Sequence, residues 1–109
     1  MHTMTTAEEL TAEMTRRGWG AALEQPLDSA YRYPMCCVWA DDQERSVDPD
    51  GNGIDVYDFG DNPEGGFEPG FRWGILGTVH TAPSSIGVAE LADQLIESIR
   101  DSQRDEGLI

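Results

Sequence analysis

The sequence predicts an α+β domain built from a helix, an antiparallel sheet of three to four strands and a C-terminal helix. Apolar residues recur at helical spacing near both ends of the chain and alternate with a period of two through its middle. The connections between these segments are short, which favours a meander with both helices on one face. At 109 residues the chain has the length of one domain, spanning 1–109, and we expect residues 1–5 and 104–109 to fray.

The first helix is predicted over residues 7–17. Thr6 and Glu9 have the spacing of a capping box, in which the two side chains accept backbone N–H bonds at the start of a helix. Gly18 suits the left-handed conformation that ends a helix. The residues of its apolar face are Ala7, Leu10 and Met14.

Four segments between the helices have the composition of strands: 20–25, 33–40, 54–59 and 71–80. Pro26 ends the first of them. The segment 33–40 is apolar on both faces, which predicts a central strand covered at least in part on both sides. The segment 71–80 is interpreted as one strand that Gly74 and Gly77 weaken or bend. Its two faces carry Phe71, Trp73, Ile75 and Val79 on one side, and Arg72, Leu76, Thr78 and His80 on the other.

The second helix is predicted to begin just after Pro83, with Ser85 as its N-cap. We expect its ordered part to end near residue 103. The residues of its apolar stripe are Val88, Leu91, Leu95, Ile96 and Ile99.

Charge narrows the classes of partner. The chain has 7 basic residues, all of them arginine, against 21 Asp+Glu, for a net charge of −14. Phosphate binding requires clustered basic side chains, so we expect no direct nucleic-acid binding. No apolar run approaches the roughly 20 residues that cross a bilayer, so we expect no membrane partner. The adjacent Cys36 and Cys37 and the absence of a signal-peptide pattern lead us to expect a cytoplasmic protein with reduced thiols.

Residues 41–68 form an acidic block, with ten carboxylates and a single base, Arg45. Such a block is either a solvated surface or a binding face for a basic protein, since spaced carboxylates imitate the charge density of a nucleic acid. Phe67 stands among these acids as a candidate aromatic anchor, and the alternative is that it folds back onto the core. The predicted contact residues are Asp41, Asp42, Glu44, Asp55, Asp58, Asp61, Glu64, Phe67 and Glu68.

Residues 48–53 resemble the first half of a calcium-binding EF-hand loop. Asp48, Asp50 and Asn52 supply oxygen atoms at the first, third and fifth positions, and a glycine follows at the sixth. Phe59 stands at the twelfth position, where a bidentate glutamate would be needed. The alternative is a structural turn, because Asn52 followed by glycine between strands is a strong hairpin signal. Calcium is the only cofactor that the sequence suggests.

Residues able to carry catalysis do not form a recognisable set. Ser84 and Ser85 follow His80 closely but lack the Gly-x-Ser-x-Gly turn of a nucleophile elbow. Cys36 and Cys37 would point to opposite faces of a strand and cannot act as one site. We therefore expect no enzymatic activity and assign no catalytic residues.

The segment 4–19, MTTAEELTAEMTRRGW, with the acidic middle and the closing helix, resembles small acidic proteins of high-GC bacteria, their plasmids and their phages. The size and charge are similar to those of immunity proteins, anti-defence inhibitors and secretion chaperones. The resemblance covers no functional motif. The acidic block and Phe67, together with the absence of a recognisable catalytic set, lead us to expect a non-enzymatic acidic inhibitor or immunity-type protein that masks a basic site on a partner protein. The alternatives are a calcium-responsive module built on 48–53 and a small structural component, for example of a virion, that assembles through sheet edges. The sequence leaves the oligomeric state open.

Overall fold

A computed structural model describes residues 4–25, 33–61, 63, 66–107 and 109. Its elements are α1 (Ala7–Arg16), β1 (Gly20–Glu24), β2 (Met35–Ala40), β3 (Ile54–Asp58), β4 (Phe71–Ile75), β5 (Thr78–Ala82) and α2 (Val88–Asp105). The strands form one antiparallel sheet in the order β1-β2-β3-β4-β5. The α+β meander is therefore confirmed, with five strands rather than three to four. Pro26, expected to end the first strand, lies outside the described residues.

Helix α1 follows its capping signals. The Thr6 hydroxyl accepts from the backbone N–H of Glu9 at 3.2 Å, and Gly18 takes a left-handed φ of +89° after the last turn. The predicted apolar face is fully buried. Thr5, expected to fray, is buried as well, and its backbone N–H donates to the carbonyl of Ser84 at 3.2 Å.

The core lies between one face of the sheet and the two helices. Alternate residues of the strands point to this face, because side chains along a strand alternate between its two sides. They pack with Leu10 and Met14 of α1 and with Leu91, Leu95 and Ile99 of α2. The sheet residues of this core are Cys36, Val38, Ile54, Val56, Phe71, Trp73, Ile75 and Ala82.

The segment predicted as one strand, 71–80, is a hairpin of two strands, and the prediction of a single strand is wrong. Leu76 and Gly77 form its two-residue turn with φ values of +49° and +80°, the combination that a type I′ hairpin turn requires. The register pairs Trp73 with His80, so these residues share the core face and their rings stack at 5.6 Å. Val79 points to the other face and is exposed.

Helix α2 begins later and ends later than predicted. Gly87 is its N-cap and offers no side-chain hydrogen bond, so the prediction of Ser85 as N-cap is wrong. The predicted stripe is otherwise confirmed: Leu91, Leu95 and Ile99 are fully buried. The helix continues to Asp105, because Gln103 is fully buried and hydrogen-bonded.

Candidate partner-binding surface

Both helices pack on the core face of the sheet, and no described helix covers its second face. On that second face, Trp39 of β2 has 47% of its surface exposed and Val79 of β5 has 54%. The prediction that β2 is covered on both sides therefore holds only in part, since Met35 and Cys37 are half-buried and Trp39 is not. We call this surface the open face. Its side chains are Ala22, Glu24, Met35, Cys37, Trp39, Asp55, Tyr57, Arg72, Val79 and Thr81.

An aromatic cluster lies at the end of the open face where β3 passes into the loop before β4. Phe67 stacks on Phe59 with ring centroids 4.8 Å apart, and Tyr57 stacks on Phe59 at 5.9 Å. Tyr33 meets Phe59 edge-on at 5.1 Å. A small pocket of about 160 Å³ opens between Tyr57, Phe67 and Arg72. Phe67 is thus half-buried, as part of a packed cluster that borders a surface recess.

Asp55 brings a carboxylate onto the open face. Its register partner on β2 is Cys37, whose pKa is raised to about 12 by burial and by the nearby charges of Asp55 and Glu24. Cys36, on the core face, has its pKa raised to about 11, chiefly by burial. Both thiols are therefore protonated near neutral pH, and neither is a ready nucleophile.

Asp41 lies inside the protein rather than on a contact surface. Its carboxylate accepts from the backbone N–H groups of Gln43 and Arg45, both at 2.8 Å. It also accepts from Arg45 Nε at 2.8 Å, and from Arg100 Nη1 and Gln103 Nε2 at 3.0 Å. Burial by itself would raise the pKa of Asp41, but these hydrogen bonds outweigh it and hold the pKa well below its usual range. Asp41 thus fastens the loop after β2 to helix α2.

Asp42, the next residue, is also bonded to helix α2, whereas Glu44 is not among the residues described as bonded to it. Asp42 accepts from Arg100 Nη2 at 2.6 Å, and the Arg100 guanidinium lies 4.9 Å from the ring centre of Trp19. Glu44 is exposed at the turn of the loop, with a left-handed φ of +63°. Asp42 and Glu44 are thus both exposed, whereas Asp41 is buried.

Asp58 and Asp61 also hold the fold together. Asp58 is buried on the core face, where its carboxylate accepts from the backbone N–H of Ala7 at the start of α1 at 2.9 Å. Asp61 accepts from the Ser84 hydroxyl at 2.8 Å. Glu68 is exposed near the aromatic cluster, and Glu64 lies outside the described residues. Among the described acids of the predicted contact set, Asp41 and Asp58 are therefore buried and Asp55 is half-buried. The exposed ones are Asp42, Glu44, Asp61 and Glu68.

The 48–53 loop has the geometry of a turn. Gly51 donates its backbone N–H to the carbonyl of Asp48 at 2.9 Å, and the Asp48 side chain accepts from the N–H of Asp50 at 3.0 Å. Asn52 is exposed beyond this turn. It is not part of a two-residue hairpin turn; a turn of that kind lies at Leu76 and Gly77. Within the described part of the chain, no group of three or more His, Cys, Asp or Glu side chains is placed to hold a metal ion.

No family model, curated protein or solved structure matches this chain. Neither described helix is long and apolar enough to cross a lipid bilayer.

The residues first considered for catalysis have structural surroundings. His80 stacks on Trp73, and the hydroxyl of Ser84 donates to Asp61. The two cysteines occupy opposite faces of β2, as predicted, and both are free thiols.

Sequence reasoning missed the open face as a whole. The signal was present in 33–40, where both alternating sets are apolar, but the same pattern is expected for a strand buried on both sides. The contribution of β5 to this face was missed because 71–80 was predicted as a single strand. That prediction placed Val79 on the core face. Only the register shows that Trp39 and Val79 share one side of the sheet.

Proposed function

We propose that the chain is a non-enzymatic acidic binding protein, of the inhibitor or immunity type, that masks a basic surface of a partner protein. The open face carries this proposal. It joins an exposed tryptophan, Trp39, to the carboxylates of Asp55 and Glu24 on the same side of the sheet. Large aromatic side chains surrounded by polar groups are typical anchors of protein interfaces.

Net charge supports a basic partner. The chain carries −14, and five of the six arginines that the structure describes are held in ion pairs within the protein. A surplus of negative charge raises the rate at which a basic partner arrives and repels acidic competitors. The exposed acids Glu44 and Glu68 and the half-buried Asp55 contribute to this field, whereas Asp41 and Asp58 act inside the fold.

The test is capture of a partner with matched variants. The full chain is immobilised and exposed, at low and high salt, to an extract of the cells that naturally encode it. Captured proteins are identified, produced separately and measured for affinity and stoichiometry. We expect a basic protein that binds at low salt and is released by high salt. If the partner is an enzyme, its activity should fall in proportion to the chain added.

Trp39→Ala should weaken the purified complex by about tenfold or more, as expected for an interface anchor. Ile109→Ala is the matched control, because Ile109 is an exposed apolar residue distant in sequence from the sheet. The proposal fails if no basic protein is captured at low salt, or if Trp39→Ala binds as tightly as the control.

A further inference from the structure

Strand β5 forms an edge of the sheet, and no described residue pairs with its outer side. A two-residue turn makes Ile75 and Thr78 a hydrogen-bonded pair. Along an antiparallel ladder, hydrogen-bonded pairs alternate with pairs whose N–H and C=O groups point outward. The N–H and C=O groups of Val79 and Thr81 therefore point away from the sheet. They are the groups that an additional strand would meet.

This edge lacks the usual protection against pairing. Natural edge strands carry charged residues, proline or a bulge that prevents another strand from adding. Thr78–Ala82 contains none of these, and its register with β4 is continuous. The opposite edge, β1, has an irregular register between Gly20 and Ala21 and ends on an acid, Glu24. The two edges thus differ, and β5 is the accessible one.

A cleft runs beside β5 on the core side of the sheet, because α2 packs against β4 rather than β5. Its main part has a volume of about 270 Å³ and a second part of about 250 Å³ adjoins it. Trp73 and His80 line the sheet side, and the helix side carries acids. The carboxylates of the cleft are Glu97, Asp101 and Asp105. Asp101 is paired with Arg104 at 3.0 Å, and no described lysine or arginine lines either part.

We propose that the β5 edge binds an extended basic segment of the partner protein as a sixth strand. Side chains of such a strand would alternate between the cleft and the open face. Lysine or arginine at every second position would reach Glu97 and Asp105, and the residues between them would lie beside Val79. The inference rests on the proposed function, since it specifies how the basic partner is held.

Charge complementarity selects this occupant over a second copy of the chain. Pairing of two β5 edges would bring two sets of cleft carboxylates together, on two molecules that each carry −14. Like charges placed opposite each other at an interface are destabilising. A basic segment removes that repulsion and fills the cleft.

The first experiment uses a synthetic peptide, Lys-Thr-Lys-Val-Lys-Thr-Lys, titrated into the full chain at low salt. We expect amide hydrogen exchange to slow at Val79 and Thr81, which have exposed N–H groups, and to change little at His80, which is already paired. Two further peptides are N-methylated on one or the other alternate set of residues. One of them should lose about tenfold or more in affinity, since it cannot form the ladder bonds.

Three protein variants complete the test. Thr81→Pro removes one outward N–H without breaking a bond to β4, and proline is tolerated on an edge strand, so the chain should still fold. It should abolish strand addition. Glu97→Gln combined with Asp105→Asn should weaken peptide binding about tenfold. Asp50→Asn combined with Glu106→Gln makes the same change of net charge at exposed sites outside the cleft and should have little effect.

Several results would overturn the inference. Equal binding of all three peptides, or equal loss in the two double variants, would mean attraction by net charge alone. Slow exchange at Val79 with self-association and no peptide would identify a second copy as the occupant. If Thr81→Pro still captured the partner fully while Trp39→Ala failed to capture it, strand addition at β5 would be refuted and the proposed function would stand.

Discussion

The carboxylate of Asp41 accepts five hydrogen bonds, from the loop that follows β2 and from α2. Asp41→Ala would leave Arg100 and Gln103 without this acceptor in a largely buried place. We expect a loss of about 3 kcal/mol in the free energy of unfolding, measured by urea denaturation. Asp42→Ala is the control, because the exposed pair of Asp42 with Arg100 should contribute less than about 1 kcal/mol. Equal losses in the two variants would contradict this assignment.

The pH dependence of stability should carry the signature of the same residue. The pKa of Asp41 is lower in the folded chain than in the unfolded chain. Its contribution to stability is therefore complete above its ordinary pKa of about 4 and is lost as the pH falls through the lowered folded value. We expect the free energy of unfolding to fall more steeply below about pH 4 in the natural chain than in Asp41→Asn. Parallel curves for the two proteins would refute the prediction.

Leu76 adopts a left-handed backbone conformation that costs a branched side chain roughly 1 kcal/mol. Asparagine is favoured at this position of a type I′ turn, and Leu76 is 54% exposed, so little packing is lost. Leu76→Asn should therefore raise the free energy of unfolding by about 0.5 kcal/mol or more. A lower melting temperature would mean that the Leu76 side chain stabilises the hairpin tip by packing.

At the level of elements, the sequence predicted most of the fold because local signals agreed with tertiary packing. Helix α1 had a capping box, an apolar face and a terminal glycine, and all three are used. The hairpin at 71–82 was missed because its turn contains Leu76 rather than the asparagine or aspartate that usually marks such turns. Asn52 followed by glycine predicted a two-residue hairpin turn where there is none. This pair lies at the end of a long loop, just before β3.

The candidate surface was less predictable than the fold. Acidic residues identify a charged block, but not which carboxylates point inward. Asp41 and Asp58 are buried because arginines and backbone N–H groups distant in sequence converge on them. No local pattern encodes that convergence. The open face depends on strand register, which short-range periodicity does not determine.

The start of α2 gives a prediction about a whole element. Gly87 is its N-cap with φ −68° and ψ 147°, a conformation that any residue adopts, and a Cβ there would meet no atom within 4 Å. Gly87→Ser should stabilise the chain by about 0.5 kcal/mol, because its hydroxyl can accept a first-turn N–H and the unfolded chain loses freedom. Gly87→Ala restricts the unfolded chain equally but supplies no acceptor, so it should stabilise less. If serine and alanine gave the same gain, capping would not be the cause.

For the whole molecule, folding and binding should respond to salt in opposite directions. The excess of acids gives a net charge of −14, and the repulsion among these charges destabilises the folded state. Each exposed ion pair of an arginine contributes little to stability. Monovalent salt screens the repulsion, so the melting temperature at neutral pH should rise between low and moderate ionic strength. The same screening should weaken capture of the basic partner that we propose. A melting temperature that falls with salt would mean that the internal ion pairs outweigh the repulsion between acids. The net charge would then be poor evidence for a surface that binds a basic protein.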